Sequence, residues 1–120
     1  MAQTIAVRQA GPTYAVSVAN TQSAAIGVSP IQSEGVNFAE FYNSGATDVC
    51  VVLAPYATTP ATPTLVFPVA GTPTVPNSFM LPKNMIKPVV RAVPNNGFCM
   101  SFIGSAAGPS IVYVTPVASM

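Results

Sequence analysis

Residues 36–54 read VNFAEFYNSGATDVCVVLA, and this stretch decides the fold class. Val36–Tyr42 sets Val36, Phe38, Glu40 and Tyr42 on one side of an extended chain and Asn37, Ala39 and Phe41 on the other, because successive side chains of a strand point to opposite faces. Val49–Ala54 is apolar on both faces, the pattern of a strand that lies inside a sandwich or under a neighbour. Asn43-Ser44-Gly45 between them is a turn signal, since Asn and Gly tolerate the left-handed backbone of a tight reversal. Together the two runs predict a β-hairpin.

The same grammar extends outward. Thr4–Gln9 is a candidate N-terminal arm or edge strand within residues 1–9, closed by Gly11-Pro12. Tyr14–Ala19 alternates Tyr14, Val16 and Val18 against Ala15, Ser17 and Ala19, the period of a half-buried strand. A turn at Asn20-Thr21-Gln22 precedes Ala24–Val28. Downstream come Phe79–Leu81, Met85–Ile86, Val89–Val93, Phe98–Ile103 and Ile111–Val114. Asn95-Asn96-Gly97 is a second hairpin signal, and residues 104–109 supply the last turn. Thirteen prolines leave few windows long enough for a helix. The sequence therefore predicts an all-β fold with negligible helix, a single β-sandwich or jelly-roll domain over 1–120 with about eight to ten short antiparallel strands.

Residues 54–78 break the rhythm. They carry Pro55, Pro60, Pro63, Pro68, Pro73 and Pro76 among many threonines, and proline cannot donate to a sheet ladder. Thr64–Phe67 is the one run able to pair as an edge strand. The rest reads as an extended loop, and a loop of this length in a compact domain is usually functional or disordered. The expectation is that this loop, or the arm Met1–Gln9, contacts a neighbouring subunit, because six prolines reduce the entropy lost on ordering.

Charge is scarce. Only Arg8, Glu34, Glu40, Asp48, Lys83, Lys87 and Arg91 are ionised, 6% of the chain, against about 25% in an ordinary soluble domain. Half the residues are hydrophobic and the net charge is +1. A surface of neutral polar and small apolar side chains favours association, so the composition points to a subunit covered by neighbours. Four basic residues neutralise few phosphates, so no nucleic-acid partner is expected. The longest nearly apolar run, around Val49–Ala57, is shorter than the roughly 20 residues of a spanning helix, and Met1–Arg8 lacks the pattern of a signal peptide. No membrane role is expected.

Catalytic chemistry finds little to work with. Histidine is absent, which removes the commonest general base and metal ligand. Cys50 and Cys99 lack zinc-site spacing, and no G-x-S-x-G occurs. Glu40 with Glu34 or Asp48 is the one carboxylate pairing to consider for glycoside hydrolysis, yet the chain has no Trp to floor a sugar cleft. The expectation is no enzyme, no catalytic residue, no cofactor, no metal and no small-molecule substrate. Cys50 and Cys99, set among apolar residues, read as buried thiols.

Two sets of residues remain as candidate contacts. Lys83, Lys87 and Arg91 recur every fourth position and form the only charge cluster, read either as a partner-docking strip or as solvated residues that keep a strand edge from pairing wrongly. Tyr42, Tyr56 and Tyr113, rigid and amphipathic, are candidate interface anchors. A sugar site would use Tyr42 with Glu40 and Asn37.

Three blocks carry a resemblance. Phe38–Val52 (FAEFYNSGATDVCVV), Phe79–Pro94 (FMLPKNMIKPVVRAVP) and Phe98–Pro116 (FCMSFIGSAAGPSIVYVTP) resemble small tailed-bacteriophage virion proteins, namely head decoration (cement) proteins and related small tail or neck components with jelly-roll-like folds. The chain departs from that group where Thr115-Pro116 continues into Val117-Ala118-Ser119-Met120 rather than Gly-Glu-Gly, and in the length of the 54–78 loop. The resemblance implies a fold and a structural role, and no catalytic residues. Taken with the scarcity of charge, the expectation is a homo-oligomer, a trimer, that bridges and stabilises subunits of the major capsid protein in a virion assembled in the host cytoplasm. A tail, neck or fibre component is the alternative within the class, and a carbohydrate-binding β-sandwich for host attachment is the alternative outside it.

Overall fold

A computed structural model describes residues 7–29, 38–71, 73, 75–94, 97–107 and 110–119. These form nine strands: β1 (Val7–Gln9), β2 (Tyr14–Val18), β3 (Ile26–Val28), β4 (Phe38–Asn43), β5 (Val49–Pro55), β6 (Ser78–Leu81), β7 (Val89–Ala92), β8 (Phe98–Gly104) and β9 (Ser110–Ser119). No helix occurs among the described residues. Glu34 and the predicted start of the strand at Val36 lie outside the described residues, as do residues 1–6 of the arm.

The pairing defines the architecture. β2 pairs β9, β3 pairs β8, β4 pairs β7 and β5 pairs β6, all antiparallel. Each strand of the first half thus takes its mirror-image partner in the second, as if one long two-stranded ribbon had been folded over. Rolling that ribbon adds the contacts β4–β9 and β5–β8. The result is two sheets, β2-β9-β4-β7 and β3-β8-β5-β6, with β1 added beside β9. This is the strand order of a jelly roll, so the expected fold class is the observed one.

The expected hairpins are not there. β4 and β5 lie in opposite sheets, as do β7 and β8, so each connection crosses from one layer to the other instead of reversing within a sheet. Asn43 shows why the first reversal fails as a hairpin. It is fully buried, and its side-chain amide donates to the carbonyls of Thr47, Leu81 and Pro82 at 2.9, 3.2 and 3.3 Å, while its oxygen accepts from Gly45 N–H at 3.0 Å. The turn-former is a buried hub that ties the β4–β5 crossing to the end of β6. Gly45 is needed there because a Cβ would collide with Ser110. Met85–Ile86 is a turn rather than a strand, with the Met85 sulfur accepting from Asn43 N–H.

β9 runs through Pro116, past the strand end that the sequence predicts at Val114. The reason is a change of partner. On one edge β9 pairs β2 as far as Val114 and β1 from Val117 onward, and at the break Ala10 N–H donates to the Pro116 carbonyl at 2.9 Å. Proline's missing donor falls where the ladder is already interrupted.

Between the sheets, Val16, Val18, Phe41, Val49, Val51, Phe98, Met100, Phe102, Val112 and Val114 form the main core. The alternation read from Tyr14–Ala19 holds, with Val16 and Val18 buried and Ala15 and Ser17 exposed. Burying a side chain such as Phe102 contributes about 1.5–3 kcal/mol.

Described residues of the 54–78 loop pack on the domain itself. Leu65, Phe67 and Val75 pack on Cys50, Val52 and Ile103, on the outer face of the β3-β8-β5-β6 sheet. Gln22 clamps the strap: its amide nitrogen donates to Pro63 O at 3.0 Å and its oxygen accepts from Leu65 N–H at 2.8 Å, taking the two bonds a neighbouring strand would have made. Pro60 lies on Gly27, where an added Cβ would sit 3.3 Å from the ring. Thr64–Phe67 is not a strand, since Gln22 holds it side chain to backbone. Val49–Ala54 is therefore apolar on both faces because one faces the sandwich core and the other lies beneath the chain's own loop.

Candidate functional site: the uncovered sheet face

The opposite outer face is open over its middle among the described residues, and closed at one end, where Val117, opposite Phe38, is 2% exposed. In antiparallel sheets, residues directly opposite each other share a face. Ala39 and Phe41 point into the core, so Phe38, Glu40 and Tyr42 point out, joined by Ile111, Tyr113 and Thr115 of β9, Ala15 and Ser17 of β2, and Val90 of β7. Ile111 and Tyr113 are 42% and 38% exposed. Thr13 and Thr115 hydroxyls bond across the strands at 2.7 Å. Glu40 is the one ionised group on this face among the described residues.

Two of the three candidate anchors meet here. Tyr42 is directly opposite Tyr113 in the β4–β9 register, so the two residues share this face on adjacent strands. Tyr56 is elsewhere: it follows β5, packs near Gly27 on the covered face, and remains 38% exposed. The pairing of residues 42 and 113 depends on a contact between distant strands, which no local pattern announces.

The basic strip is divided. Lys83 and Lys87 are exposed in the turn between β6 and β7, where Lys83 N–H donates to the Asp48 carboxylate at 2.9 Å. Arg91 is on β7 and leans across to the opposite sheet, its guanidinium 4.4 Å from the Phe79 ring centroid. The spacing of four therefore does not make one continuous element face, because the chain turns at residues 82–88.

The carboxylates are likewise apart in role. Glu40 lies mid-strand on the uncovered face, while Asp48 caps the turn between β6 and β7, and Glu34 is outside the described residues. Among the described residues no cluster of three potential metal ligands occurs. Cys50 and Cys99 are buried free thiols, and burial raises the Cys50 pKa above its ordinary value, partly offset by a hydrogen bond from the Val51 backbone.

Comparison with protein-family models, curated proteins and solved structures finds no match to this chain.

Proposed function

We propose that this chain is a non-enzymatic structural subunit of a tailed-bacteriophage virion, a decoration or cement protein that bridges neighbouring capsid subunits. The observation that carries the reading is the outer face of the five-stranded sheet, open over its middle among the described residues, where Tyr42 and Tyr113 are cross-strand neighbours with Glu40 the one ionised group described there. Aromatic residues with charge depletion at the centre are the chemistry of interface cores. The jelly roll is common in viral capsid and lectin domains, and the three sequence blocks point to the virion side of that division. In this reading the sheet face packs on a second copy or on the major capsid protein, within a trimer. Several modest contacts per oligomer multiply through effective concentration.

A binding assay on phage shells stripped of their decoration protein tests it. The purified wild-type chain is expected to rebind and, in images of the particle, to have the β2-β9-β4-β7 face against protein. Tyr42→Ser combined with Tyr113→Ser is expected to abolish rebinding. Attachment only at a tail or neck would move the protein within the virion class. Binding to glycans through Tyr42 and Glu40, with none to shells, would replace the proposal.

A further inference from the structure

The two sheets end side by side. β6 is the last strand of one and β7 the last of the other, so among the described residues both present an open edge. Between them lies a groove of about 360 Å³, lined by Leu53, Asn77, Ser78, Phe79, Arg91 and Val93 among others. Its walls are apolar and amide- or hydroxyl-bearing, and Arg91 is the one charge in it.

Arg91 is opposite buried Ala39 in the β4–β7 register, so its side chain leaves β7 on the core side and crosses the open edge of the sandwich. There its guanidinium lies over Phe79, 4.4 Å from the centroid, and Phe79 meets Phe41 edge-on at 5.1 Å between centroids. Among the described residues the Phe79 ring is the partner of this guanidinium. Its in-plane N–H donors stay available, in the fork geometry that matches a carboxylate. A cation held across a sheet edge is selective: an uncharged strand would bury it without a partner, whereas a strand bearing a carboxylate would complete it. Pro88 and Pro94 flank β7 and confine the usable edge to Val89–Ala92, so a short segment fits and indefinite pairing does not.

We propose that the groove between β6 and β7 docks a short, extended acidic segment of a partner protein, which pairs with the edge of β7 and places a Glu or Asp carboxylate on Arg91. This site is separate from the uncovered sheet face, and either can fail without the other.

The test is a nuclear magnetic resonance titration of the isotope-labelled full chain. The probes are acetyl-Thr-Val-Glu-Val-Thr-amide, its Gln counterpart, and sodium acetate. The Glu peptide is expected to shift the backbone amides of Val89–Ala92 and of Ser78–Phe79, and to bind roughly ten-fold more tightly than the Gln peptide. Arg91→Gln is expected to erase that ratio, and Arg91→Lys, which keeps the charge but loses the fork, to give an intermediate one. If Arg91→Gln melts early, the Glu-to-Gln ratio on the wild-type chain decides alone. Equal binding of the two peptides, or no amide shift at about 5 mM peptide, overturns the proposal. So does acetate reproducing the whole response, which would mean a small-anion site only.

Discussion

On the four-stranded sheet, Cys50 and Val52 point away from the core yet are fully buried, because Leu65, Phe67 and Val75 lie across them. On the five-stranded sheet, Ile111 and Tyr113 also point away from the core, and they stand 42% and 38% exposed. The compositions differ little. What differs is that the chain supplies its own cover on one side, and none of the described chain does so over the middle of the other. A proline-rich strap makes a good cover because it offers apolar side chains such as Leu65 and Phe67 while presenting few N–H groups, and Gln22 satisfies the backbone at its centre. Among the described residues, the outer face of the second sheet keeps Ile111 and Tyr113 open to contact.

The sharpest way to break this contrast is to place the same carboxylate on each face. Val52→Asp buries a charge beneath the strap and is expected to cost about 4 kcal/mol or more, enough to threaten folding. Tyr113→Asp on the bare face is expected to change the stability of the isolated chain by less than about 1 kcal/mol. Urea unfolding of both variants checks it. Equal losses would mean that the second face is covered too.

Removing part of the cover should act less strongly. Leu65 is 3% exposed in the strap, and Leu65→Ala is expected to cost about 2–3 kcal/mol. The loss should open the strap before the sandwich, so Cys50 and Cys99 should react with a thiol reagent while the β-sheet circular dichroism signal persists. Unchanged thiol protection would mean that the strap is not what shields them.

The smallest effect is a matter of pH. Burial raises the Cys50 pKa from an ordinary 9.0, so above that pH the unfolded chain loses its thiol proton first. The stability tied to the neutral thiol is complete below pH 9 and is lost as pH rises through the higher folded value. Comparing the alkaline fall in stability of wild type and Cys50→Ala isolates this share. The variant is expected to fall less steeply, and identical slopes would remove Cys50 from the account.

How much of this is legible in the sequence follows from the range of each interaction. The alternation in Tyr14–Val18 and the doubly apolar run at Val49–Ala54 are local, and both read directly as strands. The sandwich class follows from their number. The pairing is not readable: Asn43-Ser44-Gly45 has the residues of a hairpin turn, but the carbonyls of Leu81 and Pro82, far along the chain, recruit the Asn43 amide and turn the reversal into a crossing. The strap is visible as an extended loop but not as a cover, because its contacts with Gln22, Val52 and Ile103 are all long-range. Among the candidate contacts, composition singles out the tyrosines without giving their geometry. Spacing groups Arg91 with Lys83 and Lys87, whereas its own partner is the Phe79 ring.

In the proposed function, the outer face of the five-stranded sheet is the surface through which this protein assembles. Sedimentation of the purified chain over a range of concentrations tests it most directly, with wild type and the Tyr42→Ser, Tyr113→Ser double variant run side by side. Wild type is expected to sediment as an oligomer, and the double variant as a monomer whose unfolding midpoint is nearly unchanged. A wild-type monomer at every concentration, or an oligomer indifferent to the loss of both tyrosines, would contradict it.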